Sequence, residues 1–130
     1  MEMTPQEKQS LLKSQQGELD AVLMYQKLAQ AVRDPREADC FRQLAAEEGG
    51  HAAVFFGLTQ TKLQPKKTLA VVVPLLVRVL GKKRVYPIIA KSEYGAADGY
   101  AHLTERFPAV KQIQNDETRH GDMVLSLLQK

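Results

Sequence analysis

Apolar residues recur alternately three and four positions apart in four segments of this chain, the spacing that gathers them on one face of an α-helix. The clearest segments run from Phe41 to Leu58 and from Val110 to Leu127. Two further segments, from Leu11 to Val32 and from Ile89 to Leu103, follow the same spacing. The pattern predicts an all-α protein in which four long helices each bury one stripe of side chains.

Capping residues mark the start of the first two helices. Thr4 can cap the first helix, Pro5 suits its first turn and Glu7 completes a capping box. Asp34-Pro35-Arg36-Glu37 repeats this device before the second helix. We expect the two helices to run to about residues 32 and 59, and the short turn between them makes them antiparallel neighbours.

The second half of the chain predicts another helical hairpin. Its first helix runs from about Lys83 or Pro87 to Glu105, and its second from near Pro108 to the C-terminus. The whole chain, residues 1–130, is therefore predicted to form a single domain, a four-helix bundle of two antiparallel hairpins joined by a crossover.

The crossover contains an apolar, β-branched segment, residues 69–77. Its composition suits a strand, but no other segment offers a partner strand, so we predict a short extra helix with Pro74 in or near its first turn. Residues 71–79 are too apolar to lie exposed on a monomer. We therefore expect them to be buried in the bundle or in a homodimer.

Charged residues interrupt the four apolar stripes at regular places. Each hairpin supplies a Glu, then a Tyr seven residues later, then the motif Glu-x-x-His. These residues are Glu18, Tyr25, Glu48 and His51 in the first hairpin, and Glu93, Tyr100, Glu117 and His120 in the second. A step of three residues turns a helix by ~300°, so the Glu and His of each motif project from nearly the same face.

Four Glu and two His are thus expected where a bundle buries side chains. A buried carboxylate must be paired, protonated or bound to metal. A lone Glu-x-x-His is usually a surface pair, and a buried polar network is the alternative here, but the repetition on buried stripes favours a dinuclear metal site. Carboxylate and imidazole ligands suit iron, with manganese or zinc as other occupants. Tyr25 and Tyr100 are either core aromatics or hydrogen-bond partners of a ligand carboxylate.

Charge is unevenly distributed in a chain whose net charge is +3. No Asp or Glu lies between Gly49 and Ser92, a stretch with eight Lys or Arg residues. This segment, residues 62–91, is either a solvated basic rim or a docking surface for an acidic protein or an anionic membrane. Nucleic acid is not expected as a partner, because Lys62 to Arg84 includes no aromatic residue for base stacking.

Cysteine usage and the N-terminus point to a reducing compartment. Cys40 is the single cysteine, which excludes an internal disulfide and any Cys-x-x-Cys metal site. The N-terminal residues are polar and do not predict a signal peptide. We therefore expect a cytoplasmic protein.

On these Glu and His residues the chain resembles the rubrerythrin branch of the ferritin-like superfamily, from about Gln16 to Leu128. It is most similar to rubrerythrin-like domains that occur alone or fused to vacuolar-iron-transporter-type membrane domains. The resemblance implies a ferritin-like bundle, two iron ions, reaction with peroxide or dioxygen, and homodimers. The ligands it implies are the two Glu-x-x-His pairs with Glu18 and Glu93.

The function expected from this resemblance is ferroxidase-type or peroxidase-type redox chemistry. Glu48 and Glu117 are then candidates to bridge the irons, and Glu18 and Glu93 are terminal or shifting ligands. Because Cys40 is a single thiol, electrons must come from an external donor or from fresh ferrous iron. The alternatives are a non-catalytic module that senses iron or delivers it to a partner, and a metal-free interaction bundle.

Overall fold

The computed structural model describes residues 3–129, and this part of the chain is helical with no strand. The helices are α1 (Pro5–Ala31), α2 (Pro35–Thr59), α3 (Thr68–Leu80), α4 (Lys82–Tyr100) and α5 (Ala109–Ser126), with a short 3-10 helix at Ala101–Leu103. The prediction of an all-α, ferritin-like fold is confirmed.

The predicted helix starts rest on local hydrogen bonds that the structure contains. At α1, the Thr4 hydroxyl accepts from the Glu7 amide at 3.0 Å, and the Glu7 carboxylate accepts from the Thr4 amide at 2.8 Å. At α2, the Asp34 carboxylate accepts from the Arg36 amide at 2.8 Å. These bonds satisfy amides that have no partner within the helix, which is why both helices begin where the sequence predicted.

Pro74 was expected in or near the first turn of a helix, and Pro87 was one of two expected helix starts, but α4 begins at Lys82, next to the other expected start. Pro74 lies in the middle of α3 and Pro87 lies inside α4, so neither marks a first turn. Each proline lacks a backbone N–H group and so removes one hydrogen bond from its helix. The remaining backbone hydrogen bonds are enough for the helix to continue past the proline. The break between α3 and α4 falls instead at Gly81, whose φ of +90° is a conformation that favours glycine.

The chain forms two compact units that divide between Pro74 and Leu75. In the first unit α1 packs against α2, and in the second α4 packs against α5. The core of the first unit includes Leu11, Leu28, Phe41, Leu44 and Phe55, and that of the second includes Tyr86, Val110, Ile113 and Val124. The single-domain organisation remains a prediction.

A linker, residues 60–67, follows α2 and is held along α1 by side chains of that helix. The Gln16 amide donates to the Gln64 carbonyl at 2.9 Å, and the Asp20 carboxylate accepts from the Lys66 amide at 2.7 Å. The approach to α3 is therefore anchored to the surface of α1.

Helix α3 departs most from expectation. Only Ala70 of its residues is buried, and its large apolar side chains are mostly exposed. The expected burial of residues 71–79 within the bundle is therefore wrong, and the alternative, burial in a homodimer, is not tested by a single chain. Among the described residues, no helix combines the length and the apolar character needed to cross a membrane.

Candidate metal centre

The first unit contains a buried cluster of two carboxylates and one imidazole, contributed by Glu18 of α1 and by Glu48 and His51 of α2. The His51 Nδ1 atom lies 3.0 Å from Glu48 Oε1 and 3.3 Å from Glu18 Oε2. All three residues are at most 5% exposed. Glu48 and His51 share one helix face, because they are three residues apart, and Glu18 meets them from the facing helix.

The second unit repeats this arrangement with Glu93 of α4 and Glu117 and His120 of α5. The His120 Nδ1 atom lies 3.5 Å from Glu117 Oε1 and 3.6 Å from Glu93 Oε2. These residues are also at most 5% exposed. The plan is the same in both units: an imidazole nitrogen faces one carboxylate of its own helix and one of the preceding long helix.

The two clusters contain the six residues that the sequence singled out as metal ligands. Within each cluster, the three side chains offer ligand atoms that all lie within 4.8 Å of one another. The neighbours on each stripe are buried as predicted, including Phe41, Leu44 and Phe55 around the first pair and Val110, Ile113 and Val124 around the second. Side-chain packing thus holds the polar groups in a dry core.

The composition of each cluster suits a divalent cation. Two ionised carboxylates carry two negative charges, whereas the imidazole beside them can carry at most one positive charge. An uncompensated buried charge is strongly unfavourable. A cation bound by these groups would therefore lower the free-energy cost of burying the carboxylates. Carboxylate oxygen and imidazole nitrogen, without sulfur, form a donor set that iron, manganese and zinc accept. The residues present therefore fit a metal of this class.

A buried amide adjoins the first cluster, and the sequence pattern did not assign it a role. Gln15 lies one turn before Glu18 and is 2% exposed. Its side-chain carbonyl accepts from the Thr59 hydroxyl at 2.6 Å, and its Nε2 donates to the Thr61 carbonyl at 2.8 Å. The corresponding position before Glu93 is Ala90, so the second unit lacks this link between its helix and a following segment. The sequence feature that could have identified Gln15 is its position as a polar residue on an otherwise apolar stripe.

The second cluster has its own close contact, beside His120. Gly121 is buried, and a Cβ atom built on it would overlap the ring of Tyr94. The Tyr94 hydroxyl donates to the Asp122 carboxylate at 2.5 Å, and this hydrogen bond raises the pKa of Tyr94. A side chain at position 121 would therefore force the Tyr94 ring to move from this position.

Tyr25 and Tyr100 are both buried, as their stripe positions predicted. Tyr25 stacks on Phe41, with ring centroids 5.9 Å apart. This contact assigns Tyr25 to the aromatic core of the first unit. A hydrogen bond from either tyrosine to a ligand carboxylate remains a prediction.

Comparison with known proteins agrees with the geometry. The family model described as Rubrerythrin matches residues 9–128, nearly the whole chain. Searches of curated proteins and of solved structures returned no match. The family match and the buried carboxylate–histidine clusters together fit a di-iron protein. On this evidence the chain belongs to the rubrerythrin family.

Proposed function

We propose that this chain is a di-iron protein that carries out redox chemistry with peroxide or dioxygen, of the ferroxidase or peroxidase type. The observation that carries the proposal is the repeated cluster, in which the Nδ1 of a buried histidine faces two buried carboxylates in each unit. Membership of the rubrerythrin family supports it. Each cluster would contribute three ligands, so that the chain binds two metal ions.

We propose different coordination roles for the six ligand residues according to their positions in the helices. Glu48 and Glu117 share a helix with their histidines and are the proposed bridging carboxylates. Glu18 and Glu93 come from the other helix of each hairpin and would serve as the terminal or shifting ligands. Four carboxylates would offset the charge of two divalent ions. When bound, iron supplies the electrons that peroxide or dioxygen accepts.

The surroundings of the clusters favour redox chemistry on small oxidants. The apolar side chains on each stripe exclude water and keep the ligands in place. Tyr25 and Tyr100 are the proposed hydrogen-bond donors to ligand carboxylates. Cys40 is the single thiol, so we propose an external electron donor or fresh ferrous iron as the reductant, in a cytoplasmic setting.

A second candidate is a non-catalytic iron module that senses iron or delivers it to a partner. The exposed apolar face of α3 favours this alternative, because such a surface is typical of proteins that dock on something else. Turnover separates the two candidates, since a carrier binds iron without consuming oxidant catalytically.

The test combines metal analysis with oxidation kinetics on the full chain. We expect about two iron ions per chain, as the ligand count of a dinuclear site requires. Rapid mixing of the ferrous protein with peroxide should oxidise bound iron faster than iron in buffer. Glu48→Ala and Glu93→Ala should each lose iron or slow its oxidation.

Glu47→Ala is the matched control. Glu47 is adjacent to Glu48 but only half-buried, and it accepts a hydrogen bond from Gln43 at 2.9 Å. Wild-type stoichiometry and rates in the Glu48 and Glu93 variants would remove these residues from the site. Normal stoichiometry with oxidation no faster than in buffer would favour the carrier.

A further inference from the structure

Helix α3 presents a broad apolar face to solvent. Its exposed side chains are Leu69, Val71, Val72, Leu75, Leu76, Val79 and Leu80. At about 100° per residue, these seven positions fall within an arc of roughly 180°, half the circumference of the helix. The opposite side has Ala70, which is buried, and Val73, Pro74 and Val77, which are half-buried. The exposed residues therefore form one continuous surface, which we call the α3 face.

Basic residues border the α3 face at both ends. Lys66 and Lys67 precede the helix and are exposed, as are Lys83 and Arg84 just after it. Arg78 is exposed within the helix, and by its angle it falls at the edge of the apolar arc. No acidic residue occurs between Gly49 and Ser92, so the charged residues of this stretch of sequence are all basic. The surface is thus apolar in the middle and positively charged at both ends and at Arg78 on one edge.

The N-terminal border of this surface is held in place. The Asp20 carboxylate accepts from the Lys66 amide at 2.7 Å, and the Gln64 carbonyl accepts from Gln16 at 2.9 Å. These contacts anchor the residues just before α3 to α1. Docking would therefore require little ordering of the chain at this end.

We propose that the α3 face binds the surface of an anionic lipid bilayer. The helix has 13 residues, about 20 Å, which is too short for a hydrocarbon core of roughly 30 Å but suits a helix that lies flat in the interface. The apolar arc would enter the boundary of headgroups and acyl chains, and the flanking Lys and Arg would contact lipid phosphates and carboxylates.

Charge argues against a second copy of the chain as the occupant. Antiparallel pairing of two α3 faces would bring Lys66 and Lys67 of one chain towards Lys83 and Arg84 of the other. Parallel pairing would bring each basic end of one α3 helix next to the same basic end of the other. Either arrangement opposes the like charges of these four side chains, whereas an anionic bilayer complements them.

The experiment is flotation of the full, metal-loaded chain with vesicles of phosphatidylcholine alone or with phosphatidylserine at about three parts in ten. We expect binding only to the anionic vesicles, and weaker binding as salt rises. Val79→Glu should abolish binding, since Val79 is 70% exposed and lies within the apolar arc. Leu125→Glu places the same charge on an exposed position of α5 and should bind as the wild type does.

A charge-reversal pair tests the electrostatic part. Lys67→Glu with Lys83→Glu should lower vesicle partitioning by about tenfold or more. Lys27→Glu with Lys111→Glu changes two exposed lysines outside the surface and alters the net charge equally, so it should have a much smaller effect. Retained helical circular dichroism in all four variants confirms that they fold.

Three results would overturn the proposal. The first is equal binding to neutral and anionic vesicles, or binding that the α3 variants leave unchanged. The second is a stable dimer in light scattering that Val79→Glu converts to monomer, which would make a second copy the occupant. The third is failure to bind anionic vesicles with retained binding to polyglutamate, which would assign the surface to an acidic protein.

Discussion

The metal clusters and the α3 face depart in opposite ways from the usual distribution of side chains. In the clusters, ionisable groups lie in the core, at most 5% exposed. On the α3 face, valine and leucine side chains lie at the surface, up to 70% exposed. Each departure is unfavourable in isolation and becomes favourable with a ligand, a cation in one case and a covering surface in the other. Both exceptions are therefore the places where we propose that the chain binds something else, a metal ion in the core and a membrane surface on α3.

The metal clusters and the α3 face differ in how far their geometry is already fixed without a ligand. Each cluster has its three residues on two packed helices, with ligand atoms already within 4.8 Å of one another. The α3 face is a single helical surface, and its specificity rests on charge at its borders. Metal binding should therefore depend on individual side chains, whereas docking should depend on the summed apolar area and charge.

The largest expected effect is stabilisation by metal. Adding ferrous iron or manganese should raise the free energy of unfolding by about 4 kcal/mol when free metal is about 1,000 times Kd. For a chain of this size, this corresponds to a rise in Tm of about 15 °C. Calorimetry with and without a chelator measures the shift. Glu117→Gln should abolish most of it, and Glu47→Gln should not, so an unchanged Tm in the wild type would argue against a core metal site.

The next effect separates a buried valine from an exposed one in the second unit. Val124 has no exposed surface, so Val124→Ala should lower the free energy of unfolding by about 2–3 kcal/mol through lost burial and a cavity. Val79→Ala should change it by less than about 0.5 kcal/mol, because Val79 is largely in solvent. Chemical denaturation checks both values. A comparable loss at Val79 would mean that the α3 face is covered in solution.

A third effect concerns the buried charge in metal-free protein. Glu117→Met replaces one of two carboxylates beside His120 with an apolar side chain of similar size. We expect it to stabilise the metal-free chain by about 1–2 kcal/mol, because it removes a desolvated charge, and to abolish the gain from metal. Urea denaturation in chelator measures the first change. A destabilised metal-free variant would mean that the histidine alone balances the carboxylates.

The smallest effect compares two glycines of the second unit. Gly95 is exposed within α4 with nothing close to an added Cβ, so Gly95→Ala should stabilise by about 0.5–1 kcal/mol through helix propensity. Gly121→Ala should instead destabilise by about 1–2 kcal/mol, because the new methyl group would overlap the Tyr94 ring. Thermal melts of the two variants would show opposite shifts, and equal shifts would contradict the tight contact beside His120.

Local rules explain why much of the fold was predictable. The capping box of Thr4 and Glu7 involves residues three apart, so sequence alone contains both partners. The same is true of Glu48 with His51 and of Glu117 with His120, because helix periodicity determines which side chains share a face. Repetition of the motif, together with one inward Glu on each of the other two apolar stripes, is therefore enough to indicate all six candidate ligands.

Contacts between residues distant in sequence were decided only by tertiary structure. The hydrogen bond from Thr59 to Gln15 joins residues 44 apart, and the contact of Gly121 with Tyr94 depends on how closely α5 approaches α4. The exposure of α3 was likewise decided by the tertiary structure. Periodicity and composition predict that a segment is helical and apolar, but burial depends on which other elements lie against it, and no local pattern encodes that.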